Sequence, residues 1–177
     1  MPFGTLRIAK PLAAIVDEMS NQNCYIEFEF AEDQNFFDLK RTYKEFGTIG
    51  NGENVKNDKY WLDTFPNYAK RKFYFADSDL KPAFKTAELT DSTWHFYSLT
   101  ALMQYDYQID YKEVSKLTDK IGRLEFAPYE YPYGGITGLL IFVRAFDCIP
   151  YRVDEGSEVF VVRWNSDSDF VLNPTTE

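Results

Sequence analysis

Cys24-Tyr25-Ile26-Glu27-Phe28-Glu29-Phe30 alternates along its whole length, with Cys24, Ile26, Phe28 and Phe30 on one side and Tyr25, Glu27 and Glu29 on the other. A period of two belongs to a strand with one face on a core and one in water, so this segment predicts a sheet strand. Beyond Phe30 the period changes. Asp33 stands where a helix cap is needed, and Phe36, Leu39, Tyr43 and Phe46 recur at helical spacing before Gly47, which supplies a helix-ending left-handed residue. The pair predicts a strand packed by a helix over Asp33 to Phe46. Upstream, Leu12, Ile15, Val16 and Met19 behind Pro11 predict a short first helix.

From Gly47 to Asp63 the chain shows no period, running through Gly50-Asn51-Gly52 to Tyr60 and Trp61. This reads as a long flexible loop, a candidate lid or recognition loop. Arg71 to Phe75 alternates basic and aromatic residues and predicts a second strand. Asp91 is placed to cap a helix over Ser92 to Tyr105, with Phe96, Leu99, Leu102 and Met103 as its stripe. Val114, Leu117 and Ile121 predict a helix from Tyr111 to Ile121, ended by Gly122. Leu124 and Phe126 then predict a third strand.

The run Ile136 to Phe146 fits either a buried strand or a helix. Helix is favoured, because Leu139, Val143 and Phe146 share a face and Gly134-Gly135 free the chain to enter it. Val159 to Trp164, apolar on both sides, predicts a central strand covered on each face. Phe170-Val171-Leu172 adds an edge strand before Pro174 and a frayed tail over 173–177. Together these predict a single α+β domain over 1–177, a mainly antiparallel sheet of about four to five strands packed by helices. The strand, helix and strand between Leu124 and Trp164 allow one parallel pairing.

Composition narrows the function classes. The chain of 177 residues carries 28 acids against 19 basic residues, a net charge of −9. Nucleic-acid affinity comes largely from Lys and Arg on phosphates, so direct nucleic-acid binding is not expected and a basic protein partner is. Leu139 to Val143 is the longest apolar run, far short of the ~20 residues that span a bilayer, and no signal peptide is read at the N-terminus. Cys24 and Cys148 sit in apolar contexts and read as buried thiols. The expected location is cytoplasmic; the oligomeric state is not read.

No catalytic, cofactor or metal motif is found. His95, the single histidine, lies between Trp94 and Phe96 and reads as a hydrogen-bonded core or boundary residue. Asp77-Ser78-Asp79 and Asp167-Ser168-Asp169 lack the pattern of a calcium loop and read as turns. Gly134-Gly135-Ile136-Thr137-Gly138 lacks the Lys of a phosphate loop.

Charge and aromatic rings converge in one place. Leu124 to Glu177 holds nine acids, three arginines and no lysine, and contains Tyr129-Glu130-Tyr131-Pro132-Tyr133. Tyrosine concentrates at binding hot spots, and carboxylates around it steer a basic partner. Tyr129, Glu130, Tyr131 and Tyr133 with Asp154, Glu155, Asp167 and Asp169 are therefore the candidate partner-binding residues of a non-enzymatic module that masks a basic protein, as an inhibitor, antitoxin or immunity-type protein would. The alternative is a small-ligand-binding domain or carboxylate-dependent hydrolase with 47–63 as its lid, over a pocket lined by Tyr60, Trp61 and the Tyr-rich loop, with carboxylates as acid and base.

Overall fold

A computed structural model describes residues 23–49, 54–129 and 133–175. The expected helix over Leu12 to Met19 lies outside the described residues, as do Glu130 and Tyr131. The rest form one antiparallel sheet of six strands packed by five α-helices. The strand order is β2-β3-β1-β4-β5-β6, where β1 is Cys24–Phe30, β2 Ile109–Lys116, β3 Ile121–Pro128, β4 Cys148–Asp154, β5 Val159–Trp164 and β6 Phe170–Pro174.

β1 lies inside the sheet. Cys24, Ile26, Phe28 and Phe30 are buried and Glu29 is exposed, as the alternation predicts, but Glu27, expected in water, is covered because it pairs with Arg123 of β3. Helix α1, Asp33–Gly47, lays Phe36, Leu39, Tyr43 and Phe46 on that face. Its last glycine is helical and not left-handed. Gly47 is small because β2 passes close by, where an added Cβ would stand 3.2 Å from the Tyr111 Cβ.

The segment expected as a helix over Tyr111 to Ile121 is instead the hairpin of β2 and β3. The register slips between Tyr111, opposite Phe126, and Val114, opposite Leu124, so one extra residue is inserted. That bulge turns two residues three apart toward the same side and imitates helical spacing. Gly122 ends no helix either. It lies opposite Phe28 in β1, and an added Cβ would come 2.5 Å from that ring, so only glycine lets the two strands pair over a phenylalanine.

β3 leads into helix α5, Thr137–Ala145, and then β4, with β1 inserted between the two strands. β3 and β4 therefore run in the same direction without hydrogen bonding, a split crossover in place of a parallel pairing. α5 is buried from Gly138 through Val143. β5 is covered on one face only, with Val162 buried and Val161 38% exposed.

The remaining helices are short. α2, Asp58–Thr64, occupies the segment expected as a loop; the Asn57 side chain caps it by accepting from the Tyr60 N–H at 2.9 Å. Trp61 is fully buried, its ring 4.0 Å from that of Phe46 and parallel within 9°. α3 is Asn67–Lys70. Arg71 to Phe75 forms no named strand, only a bridge between Tyr74 and His95, and buries Phe73 and Phe75. α4, Phe96–Ala101, is shorter than the predicted helix and begins after His95 rather than Asp91; it passes into a π-helical turn, Leu102–Asp106.

Candidate functional site

Strand direction decides which turns share an end of the sheet. β1, β2 and β5 begin, and β3, β4 and β6 finish, at the same end. That end therefore collects Asp110 from the start of β2, Tyr129 just past β3, and the β4–β5 turn with Asp154, Glu155 and Glu158.

Tyr129 is 54% exposed, and its hydroxyl donates to Asp110 Oδ1 at 2.6 Å. Its backbone N–H donates to the Gln108 carbonyl at 2.8 Å, which ties the loop to the start of β2. The ring thus stands outward with its far end fixed. Asp110 also accepts from Lys112 Nζ at 2.6 Å, and Lys112 first, then the Tyr129 hydroxyl, hold its carboxyl below the ordinary range. The Tyr129 phenol is raised in turn by its bond to Asp110.

Tyr133 behaves differently. It is 2% exposed, packed 5.5 Å from the Phe126 ring, and its hydroxyl donates to Glu155 Oε1 at 2.8 Å. Burial pushes its phenol up, and the bond to Glu155 adds to the shift. Tyr133 is therefore a buried strut that orients Glu155. The next residue, Gly134, has φ 102°, and a Cβ there would fall 2.3 Å from the Tyr107 ring. Only glycine fits a backbone of that sign and a ring that close.

Asp154 shapes its own turn, accepting from the Gly156 N–H at 2.7 Å, while the Glu155 N–H reaches the Glu158 carbonyl at 3.1 Å. Asp167 and Asp169 lie in the β5–β6 turn at the opposite end of the sheet. There Arg144 donates to Asp167 Oδ1 at 2.6 Å, and the Asn165 side chain donates to Asp169 Oδ2 at 3.0 Å. The structure thus brings Tyr129, Tyr133, Asp154 and Glu155 to one end and leaves Asp167 and Asp169 at the other.

It also adds Asp110, in a segment without a strand signal, and Glu158, which no local pattern singles out. Neighbouring turns become visible only once the strand order is known.

The features of a loop-lidded enzyme are built otherwise. Tyr60 donates to Glu45 Oε2 at 2.5 Å and Trp61 is core, so both belong to the packed helix α2. Asp33, Asp77 and Asp110, the described carboxyls whose titration is clearly displaced, all lie below their ordinary values. Cys24 and Cys148 are buried thiols, and burial pushes that of Cys148 up to about 12, which leaves it protonated and unreactive. Among the described residues, no helix is long and apolar enough to cross a membrane. No protein-family model, curated protein or solved structure matches the chain.

Proposed function

We propose that the acidic sheet end of the protein is a non-catalytic interaction surface that binds and masks a basic partner protein, in the manner of an inhibitor, antitoxin or immunity-type protein. The observation that carries this reading is the exposed Tyr129 ring held upright by Asp110 at the same end as the β4–β5 turn and its three carboxylates. A fixed ring loses little freedom on contact, and the carboxylates steer and accept Lys and Arg. Tyr133 contributes from below, by holding Glu155 in place. The net charge of −9 favours fast association with a basic surface and disfavours nucleic acid. Two buried thiols support a reducing, cytoplasmic setting.

The test is capture from native lysate in salt steps, with the captured protein identified by mass. Wild type is expected to hold a basic protein at low salt and release it at high salt. Asp154→Lys combined with Glu158→Lys should weaken capture at least about tenfold, as expected where several charge contacts are reversed. Asp167→Lys, at the far end, should leave it unchanged. Equal capture by the double reversal and the wild type would overturn the assignment.

A further inference from the structure

Away from the acidic sheet end, the residues before helix α4 hold a constellation that the binding reading does not use. His95 precedes the first turn of α4, and its ring lies between Tyr74, 5.0 Å away, and Tyr97, 6.0 Å away. Its Nε2 is 2.6 Å from Asp79 Oδ2, and its Nδ1 is 2.9 Å from Ser98 Oγ. Asp79 is fixed in turn, since the same oxygen accepts the Ala76 N–H at 2.6 Å. The Tyr97 hydroxyl donates to the Leu80 carbonyl at 2.7 Å and clamps the turn that carries Asp79.

The carboxylate decides the tautomer. An acceptor at Nε2 keeps the proton on that nitrogen and leaves the Nδ1 lone pair facing the serine hydroxyl. The Asp79 and His95 side chains are largely covered, 15% and 20% exposed, whereas Ser98 is exposed. Ser98 and His95 lie on an open surface depression of about 400 Å³ whose other lining includes Tyr74, Asp91, Ser92, Trp94, Ser168 and Asp169. A hydroxyl hydrogen-bonded to an imidazole, itself oriented by a carboxylate, at a solvent-accessible surface, is the arrangement that activates a serine.

We propose that Ser98 is an activated nucleophile, with His95 as its general base and Asp79 as the positioning residue, acting on small esters whose groups are neutral or cationic. Ser98 Oγ bonds to the ester carbonyl carbon while its proton passes to His95 Nδ1. The bond to the alcohol oxygen breaks, and the departing alcohol takes that proton. Water, deprotonated by the same nitrogen, then releases the acid and restores the serine. Asp91 and Asp169 at the depression exclude anionic substrates by charge.

The test uses the whole protein and an alkyl fluorophosphonate, which forms an oxygen–phosphorus bond with an activated serine and expels fluoride. Intact mass and peptide mapping should show a single adduct, on Ser98, and none in Ser98→Ala. His95→Gln should slow labelling at least about a hundredfold, the usual scale for loss of a general base. Asp79→Asn should slow it at least about tenfold with circular dichroism and melting temperature kept, and Asp79→Glu should restore most of the rate. If His95→Gln does not fold, the wild-type rate is compared with that of N-acetylserine amide. A rate at least about a hundredfold higher supports the proposal. No adduct, an adduct on another residue, a rate indifferent to His95 or a rate equal to the free serine derivative overturns it.

Discussion

Arg123 and Glu27 face each other across β3 and β1, with a guanidinium nitrogen 2.5 Å from a carboxylate oxygen of a glutamate that is only 6% exposed. The pair is supported on both sides. Tyr151 donates its hydroxyl to the other oxygen of Glu27 at 3.2 Å, and the Arg123 guanidinium lies 4.2 Å from the Tyr25 ring centre. A covered carboxylate stranded without its cation is expensive, while removing both partners is far less so. Arg123→Ala should therefore cost about 2 kcal/mol, below the range for a fully buried pair because Arg123 is partly exposed. Arg123→Met with Glu27→Met should return most of that loss. Urea unfolding of the single and double variants reads both values, and a double variant no more stable than the single would show that packing, not charge, dominates here.

At the acidic end, Asp110 links the proposed contact ring to acid stability. Lys112 and the Tyr129 hydroxyl favour its ionised form in the folded state, so its folded pKa is lower than its unfolded one. Its contribution is complete above the unfolded value of about 3.9 and is lost as pH falls through that value toward the folded one. The side chains are nearly half exposed, so the effect is about 0.5 kcal/mol or less. Wild type should lose stability between about pH 5 and pH 2 more steeply than Asp110→Asn. Tyr129→Phe should fall between them in chemical unfolding across that range, and an Asp110→Asn curve parallel to wild type would contradict the linkage.

How much of this architecture the sequence discloses depends on whether a residue's surroundings come from its own element. β1, α1, β3 and α5 carry patterns of their own period and β6 a short apolar run, and each element forms where those residues stand. β2 is hidden by a bulge that sets Tyr111 and Val114 on one face three residues apart. α2 has one fully buried anchor, Trp61, flanked by the partly buried Tyr60 and Leu62, and is too short to show a period. The same limit governs the candidate site. Tyr129 and the acids are legible as residue types, but Tyr133 turning inward follows from Phe126 and Glu155 waiting for its two ends. Likewise, the split of Asp154 and Asp167 follows from a strand reversal between them. Neither is a property of the local chain.

Gly138, the second residue of α5, sits where a helix ordinarily gains from alanine, by up to about 1 kcal/mol. Here a Cβ would stand 2.5 Å from the Tyr107 hydroxyl and 2.6 Å from a Leu102 methyl. Overpacking of this kind costs about 1–3 kcal/mol, so the clash wins and Gly138→Ala should lower the melting temperature. Tyr107→Phe removes the nearest atom. Adding it to Gly138→Ala should therefore restore part of the loss, and a thermal melt showing simple additivity of the two changes would place the cost elsewhere.

Trp61 tests whether residues 58–64 are core or lid. Its ring is fully buried, stacked on Phe46 and edge-on to Phe65, within a set of rings that continues to Phe96, Phe142 and Phe146. Deleting such a side chain removes its transfer energy and leaves a cavity, so Trp61→Ala should destabilise the fold by about 3–5 kcal/mol. A lid residue would cost far less, because a lid opens at low free energy in the native state. Amide hydrogen exchange separates the two independently of mutation. The N–H of Phe65, bonded to the Trp61 carbonyl at 3.1 Å, should exchange only through opening that approaches global unfolding, whereas exchange on the scale of an open loop would detach α2 from the core.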